Sequence, residues 1–102
     1  TGFFGAGLTL PAVGTVDFGG GPLTSAGVDD IFVAKFSGTG IHQWSKRYGD
    51  TSPQDGGNGV AVDGSGNVVV TGTFQGTVDF TGTGLPVTSA GGTDIFLLKL
   101  LR

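Results

Sequence analysis

The sequence predicts an all-β fold built from small stacked sheets, and three observations lead to this prediction. Glycine supplies 22 of the 102 residues, and its clusters separate short runs of Val, Thr, Phe and Ile, which favour strands. Hydrophobic residues make up 37% of the chain and charged residues 13%, whereas disordered chains show the opposite balance. No window carries the apolar period of an amphipathic helix of useful length. The chain is therefore expected to fold, and to fold as β-structure.

The most regular stretch is GVAVDGSGNVVVTGTF, residues 59–74. Val60 and Val62 alternate with smaller residues, the segment Asp63–Asn67 has the residues of a tight turn, and the alternation resumes at Val68. Two alternating runs joined by a turn of this kind predict a β-hairpin.

Three sequence blocks occur twice in the same order. GTVDF at 14–18 recurs identically at 76–80, TSAG at 24–27 recurs at 88–91, and DIFVAKF at 30–36 resembles DIFLLKL at 94–100. TGFF at the start of the chain also resembles TGTF at 71–74. Self-similarity of this kind predicts a repeat architecture. We assign residues 1–48 to a partial repeat and residues 49–102 to a second repeat unit, and expect the two to form one structural domain.

Four kinds of strand can be assigned within the repeat. We call them a (59–63), b (67–74), c (94–100, with its earlier copy at 30–36) and d (41–48). Both c segments are apolar on both faces, which is typical of a strand between packed layers. The chain then has the order end of b, c, d, a, b, c. Residues 49–58 and 81–87 are predicted to be loops.

The motifs NGVAVD at 58–63, GNVVVTG at 66–72 and DIF at 94–96 followed by Lys99 together resemble the bacterial SBBP repeat. WSKRYG at 44–49 is similar to the segment that precedes the hairpin in that family. The family is named for a predicted seven-bladed β-propeller, and the resemblance covers about residues 14–100. It implies propeller-like blades of short antiparallel strands and no assigned chemistry. It also implies an extracellular or cell-surface location on a bacterium.

About one and a half repeats cannot close a propeller, since three or more units are normally needed to cover each other's apolar faces. At roughly 25 cal/mol per Å², a few hundred Å² of uncovered apolar face forfeits several kcal/mol. We therefore expect blades completed by oligomerisation, in a ring or a filament, through blade packing or strand exchange. The candidate residues for this self-association are Thr1, Gly2, Phe3, Phe4, Ile95, Phe96, Leu98 and Leu100.

Composition argues against several other partners. The net charge is −3 with only five Lys and Arg residues, too few for the basic patch that nucleic acid requires. Cysteine is absent, so neither a disulfide framework nor a thiolate metal site can form. No apolar run approaches the roughly 20 residues of a membrane-spanning helix, and no membrane insertion is expected.

A calcium loop is the one metal site that the sequence suggests. Asp63, Ser65 and Asn67 place oxygen side chains at its first, third and fifth positions. However, Val68 stands where that loop needs glycine, and Phe74 stands where it needs a bidentate glutamate. The same residues favour a tight turn through local hydrogen bonds, so we predict a turn and no cofactor. The polar loop offers a second cation candidate of the same kind, with Asp50, Asp55 and Asn58.

Catalytic patterns are sparse, and we predict that the protein is not an enzyme. His42 is the single histidine, and no nucleophile-elbow pattern accompanies it. The aspartates at 17 and 79, and those at 30 and 94, occupy equivalent repeat positions, which indicates a structural task. Asp30 and Asp94 would cap turns or pair with the lysines five residues on, Lys35 and Lys99. A hydrolase is the third and least favoured hypothesis.

A binding function is the second hypothesis. Trp44 and Tyr48, flanked by His42 and Arg47, combine aromatic rings with polar groups, as sugar-binding sites do. This pattern would suit a small oligomeric propeller lectin that binds glycans. The alternative is that Trp44 fills space between blades, as large aromatic side chains usually do.

Overall fold

The computed structural model describes residues 1–5, 14–51 and 55–102. All regular structure in these ranges is β-structure, so the all-β prediction is confirmed. None of the described residues belongs to a helix that could cross a membrane. The ten strands are β1 (Gly2–Gly5), β2 (Thr15–Asp17), β3 (Pro22–Thr24), β4 (Asp29–Phe36), β5 (His42–Tyr48), β6 (Gly56–Val62), β7 (Val68–Phe74), β8 (Thr77–Val78), β9 (Val87–Thr88) and β10 (Asp94–Leu100).

Six strands form two three-stranded antiparallel sheets, as expected for incomplete blades. The first sheet has the order β1-β4-β5 and the second has the order β6-β7-β10. In the repeat notation these are b-c-d and a-b-c. The short connection 49–55 therefore leaves strand d at the edge of the first sheet and enters strand a at the edge of the second sheet.

The remaining four strands form two small hairpins, β2 with β3 and β8 with β9. Each begins in a copy of GTVDF and ends near a copy of TSAG. Within each hairpin a serine links the two ends: Gly14 N donates to Ser25 Oγ at 2.8 Å, and Gly76 N donates to Ser89 Oγ at 3.1 Å. The sequence shows these blocks as repeats but predicts no strands in them, because a strand of two or three residues is too short to show alternation.

The two repeats share their backbone register as well as their sequence. Phe32 on β4 lies opposite Gly2 on β1, and its equivalent Phe96 on β10 lies opposite Gly72 on β7. A side chain at either glycine would meet the phenylalanine ring beside it, which explains why glycine interrupts both strands. The first residues of the chain thus pair with β4 in the same register in which the end of strand b pairs with β10.

One apolar core lies between the two sheets. It contains Ile31, Val33 and Tyr48 from one face of the first sheet, and Val68, Val70, Phe74, Phe96 and Leu100 from one face of the second, together with Val78 and Phe80 of the β8–β9 region. We call these two faces the inner faces. Lys35 extends from the first sheet and donates through Nζ to the Gly66 carbonyl of the second at 3.0 Å, so a polar contact closes the edge of the core.

The predicted hairpin of residues 59–74 is present, but its first strand starts earlier than predicted. Strand β6 begins at Gly56, inside the segment that was predicted to be a loop, and its pairing with β7 shifts register between Gly57 and Gly59. This irregularity allows a glycine-rich polar segment to pair. The turn follows the prediction, with Gly66 at φ +83°, a conformation that glycine adopts without strain.

Candidate functional site

The second sheet exposes an apolar face on the side away from the core. Ile95 and Leu97 are 75% and 78% exposed, and the register places them opposite Thr73 and Thr71 of β7. Directly opposed residues share a face of a sheet. We call this face, made of Thr71, Thr73, Ile95 and Leu97, the outer face of the second sheet.

The same positions in the first repeat are buried. Ile31 and Val33 are the equivalents of Ile95 and Leu97, and they are 0% and 1% exposed. They lie on the inner face of the first sheet, where the second sheet covers them. The outer face of the second sheet is thus chemically the same kind of surface as a face that elsewhere in this chain forms the core.

The first sheet has a complementary outer face, which we define by Phe18, Phe32, Ala34 and Phe36. Phe18 of the β2–β3 region lies on Phe32, with ring centroids 4.7 Å apart. Phe36 is 46% exposed, whereas its equivalent in the second repeat, Leu100, is 8% exposed. This face therefore corresponds to the inner face of the second sheet, without a sheet packed on it in the described chain.

The self-association candidates fall into different environments. Ile95 is exposed, whereas Phe96 and Leu100 lie in the core and Leu98 packs against it. Thr1 donates through Oγ1 to the Phe32 carbonyl at 2.7 Å. Gly2 and Phe4 pair with β4, as does the backbone of Phe3. Leu97 was not among the candidates, although the alternation of β10 places it on the same face as Ile95.

A buried ion pair distinguishes the first repeat from the second. Asp30 is 0% exposed and accepts from Arg47 Nη1 at 2.6 Å, and it also caps the turn at Ala26 N at 2.7 Å. Asp94 caps the equivalent turn at Ala90 N at 3.2 Å, but it has no cationic partner among the described residues. Turn capping is therefore the shared task. The predicted pairing of the two aspartates with Lys35 and Lys99 is wrong, because Lys35 reaches Gly66 and Lys99 lies 3.5 Å from Asp63.

The four ligand candidates lie on one strand, β5, but on opposite faces of it. Tyr48 is in the core, where its ring packs on Phe80 with centroids 5.6 Å apart. Trp44 is on the same face, half-buried, with Lys46 Nζ 5.7 Å from its ring centroid. His42 and Arg47 point to the other face, where His42 Nε2 lies 3.2 Å from Ser45 Oγ and Arg47 holds Asp30. The structure thus separates Trp44 from the two flanking polar residues.

The calcium-loop residues form a turn through their own hydrogen bonds. Asp63 Oδ1 accepts from the backbone N–H groups of Ser65 and Asn67 at 2.9 Å each, and Oδ2 accepts from Asn67 Nδ2 at 3.0 Å. The Asn67 side chain is the largest cause that lowers the pKa of Asp63 to about 2. Among the described residues, no group of three or more His, Cys, Asp or Glu is arranged to hold a metal ion.

The second cation candidate also has other partners. Asp55 is 2% exposed, and its Oδ1 accepts from Gln75 N at 2.9 Å. Burial raises the pKa of Asp55 to about 6, against the opposing hydrogen bond from Gln75. Asp50 accepts from Thr77 N at 2.8 Å. Both carboxylates therefore tie the polar loop to the start of the β8–β9 region.

Comparison with protein families agrees with this arrangement. Residues 43–73 match the SBBP beta-propeller repeat. The matched SBBP segment runs from the edge strand β5 of the first sheet through the connection 49–55 into the hairpin β6–β7, so it includes strands of both sheets. The suspected resemblance is confirmed for this segment. No curated protein and no solved structure is significantly similar to the chain.

Proposed function

We propose that this protein is a non-enzymatic structural module that associates with further copies of itself through its blade faces. One observation carries the proposal: Ile95 and Leu97 are exposed where the equivalent Ile31 and Val33 are completely covered. Burial of one such side chain is worth roughly 1.5–3 kcal/mol. A partner that covers both would gain several kcal/mol before the entropy of association is subtracted.

Two further observations support a role without catalysis. The SBBP repeat is not a known enzyme family. In the described chain, no carboxylate is hydrogen-bonded to His42, so the His42–Ser45 contact lacks the orienting acid of a triad. The resemblance to exported bacterial repeats supports a location outside the cell or on its surface, which fractionation of cells that make the protein would test.

The oligomeric state tests the proposal. We expect light scattering after size exclusion to show a mass above that of one chain at micromolar concentration, falling on dilution. Leu97→Lys should shift the population towards the monomer, because it places a charge in an apolar contact. Leu85→Lys is the matched control, since Leu85 is 72% exposed but lies outside both sheets. A folded wild-type monomer at micromolar concentration would refute the proposal.

Strand exchange is the other route to the same assembly. Strand β10 pairs with β7 along one edge only within the described chain, so its second edge can accept a strand. Asp94 at the start of that edge lacks the arginine that a d strand supplies to Asp30. Hydrogen exchange separates the two routes, because strand exchange protects the β10 backbone amides on assembly and face packing leaves their exchange largely unchanged.

A carbohydrate-binding module is the second candidate function. The observation that favours it is a surface depression lined by Lys35, Gln43, Trp44, Gly66 and Arg102, which combines one aromatic ring with hydrogen-bonding groups. A glycan array tests this candidate, with Trp44→Ala as the matched variant. Retention of a sugar by the wild type and its loss in the variant would support binding, whereas no retention at any sugar density would leave the structural role alone.

A further inference from the structure

We infer that assembly is head-to-tail: the outer face of the second sheet in one copy packs on the outer face of the first sheet in the next copy. This inference rests on the proposed self-association and adds the identity of the two surfaces. It excludes a symmetric contact in which the Ile95 and Leu97 faces of two copies meet each other.

The first step is the equivalence of the two repeats. Phe18 packs on Phe32 with centroids 4.7 Å apart and planes at 31°, and Phe80 packs on Phe96 at 4.8 Å and 31°. Thr1 Oγ1 donates to the Phe32 carbonyl at 2.7 Å, as Thr71 Oγ1 does to the Phe96 carbonyl at 2.9 Å. Each blade therefore presents the same two faces in the same relation to its hairpin.

The second step is the packing already present inside the chain. There, the face with Ile31 and Val33 covers the face with Phe96 and Leu100. The two sheets thus pack unlike face to unlike face. Each uncovered outer face is equivalent to one partner in this contact. On the second sheet, Ile95 and Leu97 correspond to Ile31 and Val33. On the first sheet, Phe32 and Phe36 correspond to Phe96 and Leu100.

The third step compares the two uncovered faces. Ile95 and Leu97 are branched aliphatic side chains, and no described residue covers them. Phe32 and Phe36 present aromatic rings, and the small Ala34 lies between them on the same face of β4. Packing two Ile95 faces together would instead leave Phe36 uncovered on both copies. The head-to-tail contact covers both exposed apolar surfaces.

Such a contact is heterologous, so a pair of copies retains one free face of each kind. Association then continues to a closed ring or to an open filament, depending on the rotation between copies. The fraction of chains that are assembled should rise with protein concentration, since no covalent connection holds the two faces together.

Mixing two blocked variants tests this inference. Leu97→Lys blocks the outer face of the second sheet, and Phe36→Lys blocks that of the first. Each face is exposed in the chain, so both variants should retain the wild-type circular dichroism spectrum, and also the wild-type melting temperature at dilutions where the wild type is a monomer. If Leu97→Lys does not fold, Ile95→Lys blocks the same face.

Alone, each variant is expected to weaken association by more than about tenfold. An equimolar mixture should give a complex of two chains and nothing larger, since one intact face remains on each variant. If the wild type assembles but the mixture stays monomeric, or if Phe36→Lys forms a dimer by itself, the head-to-tail contact is refuted while self-association stands. A monomeric wild type would refute the proposed function as well.

Discussion

Strands β4 and β10 are close sequence copies whose opposite faces are buried. Ile31 and Val33 of β4 are in the core while Phe36 is half exposed; Ile95 and Leu97 of β10 are exposed while Phe96 and Leu100 are in the core. Their turns and ring contacts are otherwise the same. The comparison shows that either apolar face of this kind of strand can be covered, and that the neighbouring sheet decides which face is covered in this chain.

Phe80 and its equivalent Phe18 should give the largest difference in stability between the two repeats when each is replaced. Phe80 contacts Tyr48, Phe74 and Phe96, so Phe80→Ala should lower the free energy of unfolding by about 3–5 kcal/mol. Phe18 contacts one ring and is half-buried, and Phe18→Ala should cost about 1 kcal/mol. Urea unfolding of both variants measures this. Equal losses of unfolding free energy in the two variants would contradict a core that contains Phe80 but not Phe18.

The equivalent residues Ile31 of β4 and Ile95 of β10 should give the second largest difference in stability. Ile31→Ala creates a cavity in the core and should cost about 3 kcal/mol, whereas Ile95→Ala should cost less than about 0.5 kcal/mol in the monomer. Both are measured by urea unfolding at the lowest usable protein concentration. At higher concentration the Ile95 variant should lose more, because self-association then contributes to wild-type stability. An Ile95 loss independent of concentration would contradict that explanation.

Replacing Arg47 tests the difference between Asp30, which has a cationic partner, and Asp94. Arg47→Ala leaves Asp30 buried without its cation and should lower the free energy of unfolding by about 2–3 kcal/mol. This is less than for a fully buried pair, because the guanidinium is a third exposed. Asp94→Asn should change stability by less than about 0.5 kcal/mol. Lys46→Ala is the control on the neighbouring position of β5. If Arg47→Ala behaved like Lys46→Ala, the ion pair would have no structural role.

The buried carboxylate of Asp55 should make the stability of the protein depend on pH. Its pKa is about 6 in the folded chain and 3.8 ordinarily, so the folded state binds a proton more tightly. Stability should therefore fall as pH rises from about 4 to 6. Asp55→Asn should remove this fall and be up to about 3 kcal/mol more stable than wild type well above pH 6, at 1.36 kcal/mol per pKa unit.

Thermal or urea unfolding between pH 4 and 7 measures this difference. Asp63 acts in the opposite direction, because its pKa is lowered to about 2 and its stabilisation is lost below pH 4. The two effects therefore occupy separate pH ranges. A wild-type stability that rises between pH 4 and 6 would contradict the burial of Asp55.

The sequence predicted the strands whose side chains alternate and missed those that are held by turn chemistry. Strands a to d were readable because Val60, Val68 and Phe96 alternate with other residues over five or more positions. The GTVDF hairpins were not, since their pairing depends on serine and threonine contacts such as Thr77 Oγ1 with Thr88 Oγ1 at 3.0 Å. Periodicity does not record such contacts.

The candidate surface was only partly predictable for a related reason. Alternation shows that Ile95 and Leu97 share a face, but not which of two apolar faces of β10 meets the core. That choice depends on the order in which the sheets stack, which no local pattern contains. For this reason Phe96 and Leu100 were predicted to take part in self-association and Leu97 was not.

The connection 49–55 gives the two equivalent contacts different physical settings. Inside the chain it holds one face beside the other at an effective concentration in the millimolar range, as short tethers do. Between copies, the proposed contact has only the concentration of free protein to support it. Joining two copies through a linker long enough to span that contact would turn the proposed association, which depends on abundance, into a fixed part of the fold, with no new side-chain contact required.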